Sequence, residues 1–323
     1  MAELSAGLSG RLGVAGLDPG EVVRVVRMAL AEDLGGGADV TTAATIPAGA
    51  VGTAELVSRV AGVVAGLSVI EVVFALPGQP APAVLCRQLV ADGERVAAGQ
   101  VLMTVRGPLA VILTAERTAL NLLCHLSGVA TLTRRWVDAV AGTDARIRDT
   151  RKTLPGLRAL QKYAVRCGGG ENHRMSLSDA ALIKDNHVAA AGSVSAALAA
   201  VTGRLGTGGR PGVAAGLIGA GGSAGATGPA SAVVVEVECD TLDQVAEAVE
   251  AGAGLILLDN FTVDQMARAV AVTGGRARLE ASGGLRLSSA GEVAATGVDF
   301  LAVGALTHSA PALDIGLDLV ETG

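Results

Sequence analysis

From residue 145 onward the chain repeats one pattern: a short apolar run, a charged or glycine-rich step, a helical stretch, then another apolar run. Candidate strands are 145–149, 180–184, 233–239, 255–259, 277–281 and 300–303, with helical runs such as 242–251 and 263–272 between them. Strands this short and this apolar, joined by helices, predict a parallel sheet buried on both faces. About six such units in series predict an α/β barrel.

The first part of the chain follows a different rule. Residues 1 to about 120 mix a helix over 19–34 with short Val-rich strands. The stretch Asp92-Gly93-Glu94-Arg95-Val96 followed by Gly99-Gln100-Val101-Leu102 predicts a hairpin-bearing β region. A linking helix is expected over 115–141, with Leu120, Leu123, Val129, Leu132 and Trp136 as its apolar positions. The expected division is therefore 1–120, the linking helix, and a barrel over 142–323. Within the barrel, residues 203–232 are Gly/Ala-rich and nearly uncharged, and are expected to be a flexible insertion. The insertion follows a helix and precedes a strand, so it belongs on the N-terminal face of a barrel, away from chemistry.

Composition narrows the class of molecule. Half of the residues are hydrophobic and 17% are charged, which excludes global disorder. Aromatics are only 2%, so the core must be built from Ala, Val, Leu and Ile. Mean hydropathy is +0.50, yet no long apolar run is free of charges and breaks, so no membrane span is expected. Residues 1–11 lack the charge and apolar order of a signal peptide. The four cysteines form no CxxC pair, which suits reduced thiols and a cytoplasmic protein. Between Arg146 and His187 lie nine Lys/Arg against four Asp/Glu, within a chain of net charge -6. One basic segment in an acidic protein suits a small polyanion better than nucleic acid, which needs a broad basic face.

Position sharpens that charge argument. In an α/β barrel the catalytic groups sit at the C-terminal ends of strands. Here Arg151 and Lys152 follow the first candidate strand, Lys184 ends the second, Glu238 lies near the end of the third and Asp259 ends the fourth. Ser282, Gly283 and Gly284 follow the fifth, and Val303, Gly304 and Ala305 close the sixth. One charge at a strand end is usually just solvated; five in consecutive units are costly without a partner. The glycine steps let backbone N–H groups approach an anion such as phosphate, although Gly-Gly alone can be a tight turn. Glu238 and Asp259 could each give one carboxylate to Mg²⁺, with phosphate and water completing the shell. No His/Cys spacing suggests zinc, and neither a GxSxG elbow directly after a candidate strand nor a Walker A loop is present.

Specific motifs occupy these positions. Residues 148–155 read Arg-Asp-Thr-Arg-Lys-Thr-Leu-Pro, 168–174 read Gly-Gly-Gly-Glu-Asn-His-Arg, and 183–187 read Ile-Lys-Asp-Asn-His. With them stand Glu32-Asp33-Leu34, Asp39-Val40-Thr41-Thr42, Glu116-Arg117-Thr118-Ala119-Leu120-Asn121, Val235-Glu236-Val237-Glu238, Leu258-Asp259-Asn260 and Glu280-Ala281-Ser282-Gly283-Gly284. Together, over about residues 20–318, they resemble the quinolinate phosphoribosyltransferase family. The resemblance implies an N-terminal α/β sandwich and a C-terminal α/β barrel of the type II phosphoribosyltransferase kind. It implies a transferase of NAD biosynthesis, a head-to-tail homodimer, and Arg117 donated across the interface. It also implies that Arg151, His173 and Arg174 grip the two carboxylates of quinolinate, and that Lys184 bridges substrate and phosphoribosyl pyrophosphate. Lys152 would meet the pyrophosphate, and Thr153 in the same motif would join the substrate contacts. Glu238 and Asp259 would meet the ribose hydroxyls and Mg²⁺, and the glycine steps at 282–284 and 303–305 the 5′-phosphate. The insertion exceeds what the family normally carries there.

Three other readings are weaker. A same-fold paralogue of the molybdenum-transport-associated kind would not need Arg117, Arg151, His173 and Arg174 together. A lipoyl- or biotinyl-type carrier, suggested by the stretch 92–102, lacks an acceptor Lys at the turn. A catalytically dead subunit would have no reason to retain charged strand ends.

Overall fold

The computed structural model of the chain describes residues 4–77, 84–205 and 233–322. They form two compact units: Met1–Arg134 with Thr153–Gly169 and Thr307–Gly323, and Arg135–Lys152 with Gly170–Leu306.

The first unit opens with α1 (Ala6–Val14), α2 (Pro19–Leu34) and α3 (Val40–Thr45). Local chemistry sets the limits of α2. Asp18 accepts from the Glu21 N–H, Pro19 takes the first turn, and Gly35 ends the helix in the left-handed region at φ 56°. Val22, Val25, Val26 and Leu30 bury its inner stripe. Next come β1 (Val51–Ser58), β2 (Gly62–Val63), α4 (Leu67–Ala75), β3 (Leu85–Gln88), β4 (Arg95–Val96), β5 (Val101–Pro108) and α5 (Leu109–Ala139). Helix α5 has the length and hydropathy of a membrane span, but a core helix meets the same test. Ile112, Ala115, Ala119, Leu123, Leu126, Val129 and Ala130 on it are all buried.

The second unit holds six parallel strands: β6 (Arg146–Arg148), β7 (Ala180–Ile183), β8 (Val234–Cys239), β9 (Leu255–Asp259), β10 (Arg278–Ser282) and β11 (Phe300–Ala302). Their order is β6-β11-β10-β9-β8-β7, the sheet of an α/β barrel. Among the described residues β6 and β7 do not pair with each other; beside β6, Glu171 bridges to Arg148. The connectors are α7 (Asp185–Ala191), α8 (Val194–Leu205), α9 (Leu242–Glu250), α10 (Val263–Thr273) and α11 (Ala290–Ala295), and α12 (Ala305–His308) follows the last strand. Thr241 with Gln244, and Thr262 with Gln265, form reciprocal capping boxes that start α9 and α10 just past the strand ends.

Two expectations need correction and one lies partly out of view. The stretch 92–102 is not a hairpin: β4 pairs with β2, whereas β5 pairs with β1 and β3. The linking helix starts at Leu109, because the apolar run at its start reads equally well as strand or helix. Segment 153–169, carrying α6 (Arg158–Cys167), and the C-terminal segment belong to the first unit. In it β12 (Ile315–Thr322) completes the antiparallel sheet β12-β1-β5-β3, and the Tyr163 hydroxyl donates to Asp92 at 2.5 Å. Of the expected insertion, 203–205 end α8 and the rest lies outside the described residues.

Candidate active site

The parallel strands deliver their charges to one rim, and the register says which meet. Ile183 on β7 pairs with Val237 on β8, so Lys184 and Glu238 are the next step along both strands. Lys184 Nζ donates to Glu238 Oε2 at 2.5 Å, and the Lys184 backbone N–H donates to His187 Nδ1 at 2.9 Å. Asp259 pairs with Ser282 at the ends of β9 and β10. Its carboxylate accepts from Asn260 Nδ2 at 2.6 Å. Asn260 stands at φ 57°, and its N–H donates to Ser282 O at 2.9 Å. A Cβ on Gly283 would fall 2.2 Å from Asn260 Oδ1, so this turn requires glycine.

Beyond β6, Arg151 is half-buried and Lys152 exposed, with the Lys152 N–H on Thr150 Oγ1 at 3.0 Å. Val303 donates to Arg148 O at 2.9 Å, which fixes the step into Gly304 and Ala305. Arg174 is buried, and its Nη1 donates to Ala180 O at 2.8 Å. Burial, then the guanidinium of Arg151, pulls Arg174 below the usual arginine range. The Nε atoms of both arginines are buried and have no hydrogen-bond partner. Guanidiniums with unmet buried donors suit carboxylates, which a planar fork can meet with two hydrogen bonds. Thr153 and Arg117 belong to the first unit. There Thr153 Oγ1 accepts from Arg158 Nε at 3.0 Å, and Arg117 is exposed on α5.

Beneath the rim lies a buried charged cluster in which the sequence reading assigns a role only to His173. Arg148 on β6 is 2% exposed, stacks 3.9 Å above the Phe300 ring and donates to Glu280 Oε2 at 2.6 Å. His173 Nε2 lies 2.7 Å from Glu236 Oε2 and 3.5 Å from Glu280 Oε1. Asp149 accepts from the His173 N–H at 2.8 Å and from Asn172 Nδ2 at 2.6 Å. Burial, then the charge of Glu236, pushes Glu280 up to about 7. Burial alone would depress His173, but the hydrogen bond and charge of Glu236, then the charge of Glu280, raise it.

Two groups could hold a cation. His173, Glu236 and Glu280 offer ligand atoms within 4.8 Å of one another. However, the Arg148 guanidinium already occupies Glu280, so an added dication there would face an adjacent buried charge. Glu238 and Asp259 offer hard oxygens at neighbouring strand ends, a donor pair that suits Mg²⁺ shared with phosphate and water.

Sequence profiles of the quinolinate phosphoribosyl transferase C-terminal domain match residues 129–208 and 224–318, and those of its N-terminal domain match residues 39–127. The chain belongs to the quinolinate phosphoribosyltransferase family. The C-terminal match breaks between 208 and 224, inside the expected insertion. Nicotinate-nucleotide pyrophosphorylase [carboxylating] of Mycobacterium leprae is 52% identical over 301 residues, covering 91% of this chain and 95% of that one. A probable nicotinate-nucleotide pyrophosphorylase [carboxylating] of Bacillus subtilis is 38% identical, covering 82% and 83%. The crystal structure of NadC from Streptococcus pyogenes superposes with a TM-score of 0.80 at 35% identity, covering 94% and 99%. That of the nicotinate-nucleotide pyrophosphorylase from Francisella tularensis gives 0.80 at 34%, covering 93% and 96%.

A signal for the cluster was present within the family's strand motifs. In Val235-Glu236-Val237-Glu238 the two glutamates alternate with valine, so they share one face of β8, and Glu280 and Ser282 share one face of β10. Reading strand ends alone finds Glu238 and Ser282 but misses the residues one pleat deeper.

Proposed function

We propose that this chain transfers the phosphoribosyl group of phosphoribosyl pyrophosphate to quinolinate with decarboxylation, giving nicotinate mononucleotide, pyrophosphate and CO2. The reading is carried by one juxtaposition. Arg151 follows β6 and Arg174 precedes β7, each with a buried Nε that has no hydrogen-bond partner, and Lys184–Glu238 and Asp259 stand at the ends of β7, β8 and β9. It is supported by family membership and by the names of the relatives.

In this mechanism Arg151 and Arg174 bind the carboxylates of quinolinate and aim the ring nitrogen at ribose C1′. The nitrogen lone pair forms the N–C1′ bond as the C1′–O bond breaks and its electron pair leaves on pyrophosphate. Lys152 and Lys184 meet the developing negative charge. Glu238 and Asp259 hold the ribose hydroxyls. The same two carboxylates would hold Mg²⁺, which when bound neutralises charge on the phosphates. The glycine steps at 282–284 and 303–305 take the 5′-phosphate through backbone N–H groups, and Thr153 joins the substrate contacts. Once the ring nitrogen is quaternary, the C2–carboxylate bond breaks, CO2 leaves, its electron pair stays on C2 beside the positive nitrogen, and C2 takes a proton from solvent. No side chain is required as a strong base.

The working unit is a cytoplasmic homodimer in which Arg117, exposed on α5, serves the site of the second copy. The test is incubation with quinolinate, phosphoribosyl pyrophosphate and Mg²⁺, following nicotinate mononucleotide and CO2. Product that disappears in Lys184→Ala is the expected result. No quinolinate binding and no product would overturn the reading.

A further inference from the structure

The expectation that His173 grips a quinolinate carboxylate meets a geometric obstacle: both of its ring nitrogens have partners within the protein. Nδ1 lies 2.7 Å from the backbone N of Arg174 and accepts its hydrogen, which makes Nε2 the protonated nitrogen of the neutral ring. Nε2 then donates to Glu236 Oε2 at 2.7 Å. The ring is buried, and the His173 backbone is anchored by Asp149 at 2.8 Å. We infer that His173 and Glu236 are positioning residues, a bracket that sets the backbone at Arg174 and thereby aims its guanidinium at the substrate.

The surrounding charges explain why so costly a bracket is stable. Glu236 and Glu280 are 2% and 0% exposed, and a buried carboxylate needs compensation. Arg148 supplies it to Glu280 directly. His173 links the two carboxylates, at 2.7 Å to one and 3.5 Å to the other. One carboxylate oxygen of each glutamate, Oε1, is buried without a hydrogen-bond partner. Among the described residues the Glu236 carboxylate takes its hydrogen bond from His173, and the Arg174 charge also acts on it, so its orientation depends on His173. Arg174 is held at both ends: its N–H by His173 Nδ1 and its Nη1 by Ala180 O at 2.8 Å. Small displacements of a bidentate fork are expensive, so losing the inner anchor should weaken the carboxylate grip while sparing the donor side.

This inference rests on the proposed substrate, and two measurements on the full-length protein separate the two claims. Calorimetry with quinolinate on the wild type tests the substrate, and absent binding there overturns both. Given binding, Glu236→Leu should weaken quinolinate by about 10- to 100-fold, as expected for a lost hydrogen bond to a charged group. Glu236→Gln, whose amide oxygen still accepts from Nε2–H, should bind within about 3-fold of wild type. The KM for phosphoribosyl pyrophosphate should stay unchanged in both. Wild-type affinity in Glu236→Leu overturns the inference, as does equal weakness of the two variants. Because Glu236→Leu could unfold, ¹⁵N-histidine spectra of the wild type provide a second arm. The chain has four histidines, so the His173 signals can be assigned by loss in His173→Asn. They should keep the Nε2–H pattern on saturation with quinolinate; a change of protonated nitrogen would mean that the ring itself takes the carboxylate.

Discussion

Lys184 Nζ lies 2.5 Å from Glu238 Oε2, joining the C-terminal ends of two neighbouring parallel strands. Lys184 is half-exposed and Glu238 is buried, so the carboxylate is fixed and the ammonium can turn toward a ligand. Replacing Lys184 with Ala should lower kcat by about 10²- to 10³-fold, the usual loss when one preorganised charge at a reacting centre is removed. Such a half-exposed pair contributes only about 0–1 kcal/mol, so the melting temperature should hardly move. Steady-state rates and a thermal melt test this together, and turnover above a tenth of wild type removes Lys184 from the site.

Arg151 and Arg174 should fail on the other substrate. Either one changed to Ala should raise the KM for quinolinate by about 10- to 100-fold, the cost of a lost charge-assisted hydrogen bond. The KM for phosphoribosyl pyrophosphate should change far less. Lys should not rescue either position, because a point charge cannot make a planar two-pronged contact. A larger rise in the donor KM than in the quinolinate KM would refute the assignment.

Of the residues that carry these two predictions, Lys184 and Arg151 were legible at strand ends for a physical reason, whereas Arg174 stood out only within the motif at 168–174. Lys184 and Asp259 follow apolar runs, and a charge after such a run marks a strand end. The six strand positions were legible for the same reason. Arg148, Glu236 and Glu280 were not, because their meaning depends on which strands become neighbours. Glu280 meets Arg148 across the intervening β11, 132 residues away in sequence. The return of β12 to the first sheet was hidden likewise. Its partner β1 pairs Ile315 with Ser58, and no local pattern announces a contact that distant.

Gly283 should tolerate no side chain. Its φ is +84°, and a Cβ would meet Asn260 Oδ1 at 2.2 Å while Asn260 holds Asp259. Gly283→Ala should cost about 1–3 kcal/mol through forced backbone strain. It should also weaken the donor more than quinolinate, since the displaced atoms support Asp259 and the glycine step. Denaturant titration and the two KM values provide the check, and a variant with wild-type stability would show that the turn can relax.

Glu280 sets a pH dependence of known sign. Burial, then the charge of Glu236, raises its carboxyl from 4.5 to about 7 in the folded chain. The native state therefore holds this proton more tightly than the unfolded state. Stability from that proton is fully present below 4.5 and is lost as pH rises through about 7. Glu280→Gln keeps the size of the side chain and removes the titration. Comparison of denaturant midpoints should then show the wild type losing stability relative to the variant across that window, with the difference level at higher pH. His173, also raised, shifts stability in the same direction, so a residual slope in Glu280→Gln is expected. Parallel profiles for the two proteins would mean that Glu280 stays ionised beside Arg148 throughout, and that the ion pair outweighs the cost of burying it.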